Sequence, residues 1–235
     1  MTSEQSRVSQ ASEFYLHDQL DIDKTIIRYR YQTLRPFFRG PRCLELGPAD
    51  GWMTREMVKD FEALTVVDGS PELLAVIPPA PNLTKVHCLF EDFVCPEPRF
   101  NTILLEHILE HVEDPVALMA RARAWAAEDR VFLMGVPNAN SLHRLAGVKM
   151  GLLERPDQLN ARDLSQGHRR VYSLETFRAD IEKAGLTVVE MGGVFLKPLA
   201  FGQIQAHWTP AMIEAFYALG KDFPSLAGDI YAVCR

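Results

Sequence analysis

Cys43-Leu-Glu-Leu-Gly-Pro-Ala-Asp-Gly51 decides how this chain is read. The apolar run Cys43–Leu46 carries one acid, Glu45, and ends in a turn with glycines at 47 and 51; a helical pattern follows from Trp52. A strand that stops at a glycine turn before a helix is a nucleotide-binding device, because glycine lets the backbone approach a ligand closely. The next apolar run, Ala63-Leu-Thr-Val-Val-Asp68, ends in a carboxylate. It stands about 20 residues past Gly47, where an acid would accept hydrogen bonds from a ribose. The turn does not fit the G-x-G-x-x-G dinucleotide fingerprint, and no G-x-x-x-x-G-K-[ST] phosphate loop occurs. Glu45 would repel a pyrophosphate. It suits a cation, and can organise a loop that receives an ammonium group.

The pattern resembles motif I of the class I S-adenosylmethionine (SAM)-dependent methyltransferases, [ED]-x-G-x-G-x-G. Glu45, Gly47 and Gly51 match it, and Ala49 replaces the middle glycine. Further on, Val66-Val-Asp-Gly-Ser70 looks like motif II, Cys88-Leu-Phe-Glu-Asp-Phe93 like the adenine segment, and Phe100-Asn-Thr-Ile-Leu-Leu-Glu-His107 like motif IV. Val131-Phe-Leu-Met-Gly-Val-Pro137 looks like the fifth strand. The set runs in order over residues 40 to 190. It is similar to the small-molecule group that includes the quinone-biosynthesis and methyltransferase-23-like enzymes. The resemblance implies a Rossmann-like, doubly wound α/β fold: a seven-stranded sheet of order 3-2-1-4-5-7-6, last strand antiparallel, with a helical cap. It implies SAM as cofactor and S-adenosylhomocysteine (SAH) as product. The implied cofactor contacts are Glu45, Gly47, Pro48, Gly51 and Trp52 after the first strand, and Asp68, Gly69 and Ser70 after the second. Leu89, Phe90 and Glu91 after the third and Glu106 at the end of the fourth complete them. Phe90 and Phe93 would sandwich the adenine with Glu91 on its amino group, unless one phenylalanine is core.

Composition narrows the setting. The 235 residues suit one domain, 13–235, behind a polar N-terminus, 1–12, that lacks an apolar signal core. That stretch is expected to be disordered and the protein cytoplasmic. No run reaches the roughly 18 apolar residues of a membrane span. A net charge of −6 argues against a general nucleic-acid binder. Cysteines 43, 88, 95 and 234 form no C-x-x-C pair, so buried free thiols are expected rather than disulfides. Alternating patterns predict helix 19–38 (N-terminal helical region 13–39), strand 42–46, helix 52–61, strand 63–68, helix 71–77 and strand 83–88. They continue with strand 101–106, helix 114–127, strand 129–136, helix 173–184, strand 186–194 and strand 228–234. Cap insertions are expected at 137–172 and 196–226. Alternation of this kind makes a parallel sheet with helices on both faces.

The densest chemical stretch is Glu106-His-Ile-Leu-Glu-His111. On a helical turn, His107, Glu110 and His111 stand at i, i+3 and i+4 on one face. The string is the inverted zinc-protease motif H-x-x-E-H, a reading rejected here because it follows a strand end in a nucleotide-binding layout. Three readings stay open. His107 or His111 is a general base near its ordinary pKa; or His107, Glu110 and His111 hold a divalent metal; or the group ties the loop to its neighbour. Leu109-Glu110-His111 is similar to a segment of quinone-biosynthesis O-methyltransferases, which carry glutamate where this chain has His107, and no metal is expected. His168, in Gly167-His-Arg-Arg-Val-Tyr-Ser173, is similar to an active-site segment of many small-molecule methyltransferases. His107, His111 and His168 are the candidate catalytic residues.

Residues 137–172 form a long connection, of a length that marks lids and binding loops. It carries Arg144, Lys149, Arg155, Arg162, Arg169 and Arg170 against Glu154, Asp157 and Asp163. Such a basic cap suggests an acidic or carrier-linked acceptor of natural-product or sugar type. Loss of Arg169 and Arg170 together is then expected to raise the acceptor KM and spare SAM binding. Tyr29-Arg-Tyr31, with Arg28, is expected over the cofactor or in the core. The reading is methyl transfer to oxygen or nitrogen of a small molecule, in small-molecule biosynthesis, by an in-line displacement in which the protein aligns two centres and removes a proton. The rivals are a nicotinamide-dependent oxidoreductase, opposed by the glycine spacing and Glu45, and a non-catalytic SAM-binding protein, opposed by the three histidines. The expected partner is a small-molecule methyl acceptor, with neither nucleic acid nor membrane. The sequence assigns no oligomeric state.

Overall fold

Seven strands carry the architecture: β1 (Arg42–Leu46), β2 (Ala63–Asp68), β3 (Leu83–His87), β4 (Phe100–Glu106), β5 (Ala126–Pro137), β6 (Val188–Val194) and β7 (Asp229–Cys234). The structure is a computed structural model and describes residues 3–95 and 100–235. The strand order is β3-β2-β1-β4-β5-β7-β6. β1 to β5 run parallel, and β7 is antiparallel to both β5 and β6. The expected sheet is therefore present, order and final strand included. Order reverses between β1 and β4, and at such a switch the loops leaving the strands diverge and open a crevice.

Strand alternation explains why both faces are covered. Leu44, Ile103, Leu105, Phe132 and Met134 point to one face, where they pack with α5 (Pro115–Ala122) and α8 (Leu174–Lys183) through Leu118, Met119, Phe177 and Ile181. Cys43, Leu104, Val131 and Leu133 point to the other, with Leu34 of α2 (Asp21–Leu34) and Met57 of α3 (Thr54–Met57). Near-continuous apolar runs are what a sheet buried on both sides requires. A third cluster joins α2 to the cap: Ile22, Ile26 and Tyr29 meet Phe195, Ile204 and Tyr217. Tyr29 and Tyr217 stack at 4.0 Å, so Tyr29 and Tyr31, both buried, are core residues and not a cover for the cofactor.

Several expectations need correction. The N-terminus is not disordered where it is described: α1 spans Ser3–Glu13 and a π-turn follows over Phe14–Asp18; Met1 and Thr2 lie outside the described residues. Composition missed it because α1 is polar and draws its order from tertiary contacts. Ser12 and Phe14 are buried, and Arg169 pairs with Glu4. The helix expected at 52–61 shrinks to α3. Its exit is fixed from outside, by the Asn82 amide donating to the carbonyls of Val58 and Phe61. The helix expected at 114–127 ends at Ala122, tightens into a 3₁₀ turn over Arg123–Trp125, and yields to a β5 that starts at Ala126. α4 (Pro71–Val76) is capped by Ser70. The first cap insertion holds α6 (Leu142–Lys149) and α7 (Ala161–Ser165), the second α9 (Phe201–His207) and α10 (Pro210–Asp222). Cys43, Cys88 and Cys234 are free thiols, Cys43 and Cys234 fully buried. Among the described residues no helix is long and apolar enough to cross a membrane.

Candidate active site

Two cavities open where the parallel strands end, and they share a wall of Tyr15, Gln19, Ile27, Arg30 and His107. The smaller, about 180 Å³, follows the loops after β1, β2 and β4 and is roofed by α1 through Val8, Ala11 and Ser12. Its apolar surface comes from Trp52, Met53, Leu73, Phe90 and Ile108, and its acids are Glu4 on α1 and Glu45, Asp50, Asp68 and Glu106 at the strand ends. The turn geometry is specific at Gly47. Its φ is +65°, and a Cβ there would come within 2.1 Å of Ile108 Cδ1. Ala49 also adopts a left-handed backbone, φ +48°, where a glycine would be unstrained.

Two acids of this cavity, Glu45 and Asp68, are buried. Burial, the largest influence, pushes Glu45 up to about 7 although the Thr54 hydroxyl donates to it; that bond is 2.7 Å. Glu45 thereby ties the strand end to the start of α3. Burial likewise pushes Asp68 up to about 6, against a hydrogen bond from the Ser70 N–H. Asp50 Oδ1 is buried with no partner and burial raises its pKa. These carboxylates keep acceptor capacity toward the cavity, which fits the hydroxyls and ammonium group of a SAM-like ligand.

At the shared wall the chain makes an unusual turn. His107 follows β4 with φ +55°, and its N–H donates to the Gly135 carbonyl at 2.9 Å. The 107–111 segment is thus an irregular turn and not the helical turn expected. The ring Nδ1 lies 3.0 Å from Glu110 Oε1. Nε2 lies 3.7 Å from both Glu106 Oε1 and Asp229 Oδ1, without a hydrogen-bond partner. Burial and Arg30 pull the imidazole down, but Glu110 and Asp229 outweigh them and its pKa stands above the ordinary value. Glu110 is fully buried, with His107 Nδ1 as the close polar neighbour of Oε1. Burial would raise it, yet His107, His111 and His168 hold it down at about 2. Arg30 crosses from α2 to bridge Asp229, at 2.8 Å, and Glu106, at 3.6 Å.

His111 and His168 lie behind this turn, ring edge to face at 4.8 Å. Burial takes His111 down to about 4, and its Nε2 is 3.3 Å from the Tyr15 hydroxyl. His168 Nδ1 is 3.5 Å from Asp163. Among the described residues the one trio able to hold a metal is Glu110, His111 and His168, with donor atoms within 4.8 Å of one another. The trio read from sequence, with His107, is not the one assembled, because the left-handed turn swings the His107 ring toward Asp229.

Other positions sort by the same geometry. Glu45, Gly47, Pro48, Trp52, Asp68, Phe90, Glu106, His107 and His111 line the smaller cavity; His107 and His168 line the larger. Gly51 (φ +80°), Gly69, Ser70 and Leu89 stand behind the lining as turn, cap and packing residues. Glu91 is exposed, and Phe93 is core, edge-on to Trp125 at 5.0 Å. Arg170 donates to the carbonyls of Leu109, Val112 and Glu113, and Arg169 to that of His111. Both guanidinium groups therefore fix the 109–113 turn, and Arg169 also pairs with Glu4 and lines the smaller cavity. Arg30, from the segment expected over the cofactor, lines both cavities, whereas Asp50, Tyr15 and Asp229 were not singled out. Of these, only Asp50, beside motif I, carried a local signal.

The larger cavity, about 390 Å³, lies between α2, the two cap insertions and the start of β7. Comparison with known proteins agrees with this layout. A family model described as "Methyltransferase domain" (Methyltransf_23) matches residues 19–191. No curated protein matches the sequence. A SAM-dependent methyltransferase from Mesorhizobium loti superposes with a TM-score of 0.62 at 14% identity, over 88% of this chain and 97% of its own. The DhpI–SAM–HEP complex gives 0.61 at 17% identity over 98% and 94%. The N-methyltransferase NodS from Bradyrhizobium japonicum, bound to SAH, gives 0.56 at 15% over 88% and 86%. With more than half its length matched and the sheet order in place, the chain belongs to the methyltransferase-domain family of SAM-dependent class I enzymes.

Proposed function

We propose that the protein methylates an oxygen or nitrogen of a small molecule seated in the larger cavity, with SAM held in the smaller one and His107 as general base. The observation that carries this is the position of His107. Its unpartnered Nε2 sits at the wall common to both cavities, backed by a buried carboxylate 3.0 Å from Nδ1. Asp68 and Asp50 would take donors of the cofactor, Glu45 would hold the loop against it, and Trp52 and Phe90 would cover its apolar parts. SAM, when bound, supplies an electrophilic methyl group on a sulfonium. Nε2 takes the proton of the acceptor, and Glu110 stabilises the imidazolium that forms, as the carboxylate of a histidine–carboxylate pair does. Arg30 restrains Glu106 and Asp229 beside the ring, so neither carboxylate competes freely for that proton. Small-molecule complexes among the structural neighbours support the acceptor class: BpumL is bound to a plantazolicin analogue and SAH.

The test is His107→Gln, compared with wild type by calorimetric titration of SAM and SAH, with NAD as control, and by SAH release in an acceptor screen. SAM affinity is expected to stay within about threefold, while methyl transfer falls by about 10²–10⁴, the usual weight of a general base. Undiminished transfer would remove His107 from the chemistry; failure of the wild type to bind SAM would sink the whole reading.

A further inference from the structure

The charges around the larger cavity do not cancel. Arg30, Arg144, Arg162 and Lys197 line it with Asp23, Asp163 and Asp229. Each carboxylate already has its arginine: Asp229 with Arg30 at 2.8 Å, Asp163 with Arg144 at 3.0 Å, Asp23 with Arg162 at 3.0 Å. Arg144 also donates to the carbonyls of Pro156 and Gln158. The basic connection that sequence alone pointed to an acidic acceptor is thus internally satisfied. Lys197, which lies outside it, is left over. Among the described residues its Nζ has neither an ion pair nor a hydrogen bond; it rests on the face of Phe201 at 3.8 Å. Burial, the largest influence, brings its ammonium down only to about 8, so it is still mostly charged at neutral pH.

Neighbouring polar atoms are unpartnered too. His143 lines the same cavity, and its backbone N–H donates to the Lys197 carbonyl at 3.0 Å. Its Nδ1 is buried with no partner, as is the hydroxyl of Ser141 two residues earlier. Lys197 is half-buried at the cavity, and a cation there without an anion, beside a ring whose Nδ1 lacks a partner, is a place that a ligand can complete.

We infer that Lys197, with His143 beside it, receives an anionic group of the methyl acceptor, a carboxylate or a phosphoryl group. The inference rests on reading the larger cavity as the acceptor site. It makes Lys197 a specificity residue: with an anion on Lys197, the rest of the acceptor extends toward His107 and the shared wall.

The test uses the full chain, ligand-free and SAH-bound, with inorganic phosphate, acetate and neutral acetamide as probes at constant ionic strength. Thermal unfolding and calorimetry are compared in wild type, Lys197→Met and Lys197→Arg. The expected result is saturable stabilisation of the wild type by phosphate or acetate and none by acetamide. Whichever anion binds tighter assigns the group. Lys197→Met should weaken that anion at least tenfold, Lys197→Arg should keep most of the affinity, and SAH affinity should not change. Without anion, Lys197→Met should melt no lower than the wild type, since it removes a half-buried charge that has no ion pair. Acetamide equal to the anions, anion affinity within twofold in Lys197→Met, or no saturable anion binding by the wild type would each overturn the inference. So would a lower melting point for ligand-free Lys197→Met, which would make the lysine a structural partner of Phe201. If SAH fails to bind while the ligand-free anion arm succeeds, the cofactor reading fails and the anion site stands.

Discussion

The two cavities are built by opposite means. The smaller takes about half of its wall from three loops that each continue a strand and much of the rest from the N-terminal segment, and two of its acids are held up by burial: Glu45 at about 7, Asp68 at about 6. The larger is closed by side chains far apart in sequence, Arg30 and Asp229 being 199 residues apart. Its acids are paired, and Asp163 is held at about 2 although burial opposes it, chiefly by His168, Asn160 and Arg144. One cavity keeps charges that a ligand relieves; the other neutralises itself, except at Lys197. Buried carboxylates are tolerated only when paired or when their pKa moves, and each cavity uses one of those solutions.

Breaking the His107–Glu110 pair should have the largest effect on this contrast. Glu110→Gln is expected to cut methyl transfer by about 100-fold, the lower end for a general base. Its signature is a pH profile. The wild-type rate needs neutral His107, whose pKa is raised, so activity should rise with pH through a limb above 6.5. Without Glu110 that limb should move to lower pH, and an unmoved limb would mean that the carboxylate acts elsewhere. Glu110 also links stability to pH. Its folded pKa of about 2 lies below its unfolded value, so its contribution is present above about 4.5 and disappears as pH falls toward 2. The Gln variant should lose that dependence in an acid melt.

Glu45→Gln probes the other cavity. SAM affinity should fall about tenfold, or ~1.4 kcal/mol, because a neutral amide holds the Thr54 loop but not an ammonium. The ligand-free protein should respond in the opposite sense. Glu45 is raised from 4.5 to about 7, so the native state binds the extra proton and stability declines as pH climbs between those values. The variant should therefore melt higher than wild type at pH 8 and nearly alike at pH 4. A variant that melts lower at pH 8 would make Glu45 a structural residue.

The smallest expected effect sharpens the motif itself. Ala49→Gly relieves a left-handed alanine, about 1 kcal/mol, and adds unfolded-state entropy of about 0.5–1 kcal/mol. Stability should change by under about 0.5 kcal/mol on those figures, with SAM affinity no weaker in calorimetry. Looser binding by more than threefold would show that the Cβ of Ala49 supports the pocket.

Most of the sheet was legible because its signals are local. Apolar runs of strand length ended at Gly47, Asp68 and His87, and these placed β1 to β3 within a residue or two of their bounds. The helix of α1 was not, since its polar residues carry no periodicity strong enough to fold alone. Gly47 and Asp68 could be named in advance because a strand ends at each of them, and Glu45 because it is the one acid in the apolar run of β1. Leu89 and Glu91 show the limit, because a one-residue shift in a 3₁₀ turn decides whether Phe90 or its neighbour faces the cavity.

What the sequence determined by itself, then, was the strand-and-turn order, the carboxylates at the strand ends, and the proximity of His107 to Glu110. Only the tertiary structure decided which charges remain unpaired. Six basic side chains in one connection looked like a binding surface, yet those at 144, 162, 169 and 170 are taken up by carbonyls and acids that the fold brings to them. Lys197, an ordinary lysine in the sequence, is among the described residues the one cation of the larger cavity without an ion pair. Charge in a cavity is a difference between neighbours, and neighbours across 199 residues are set by packing rather than by spacing.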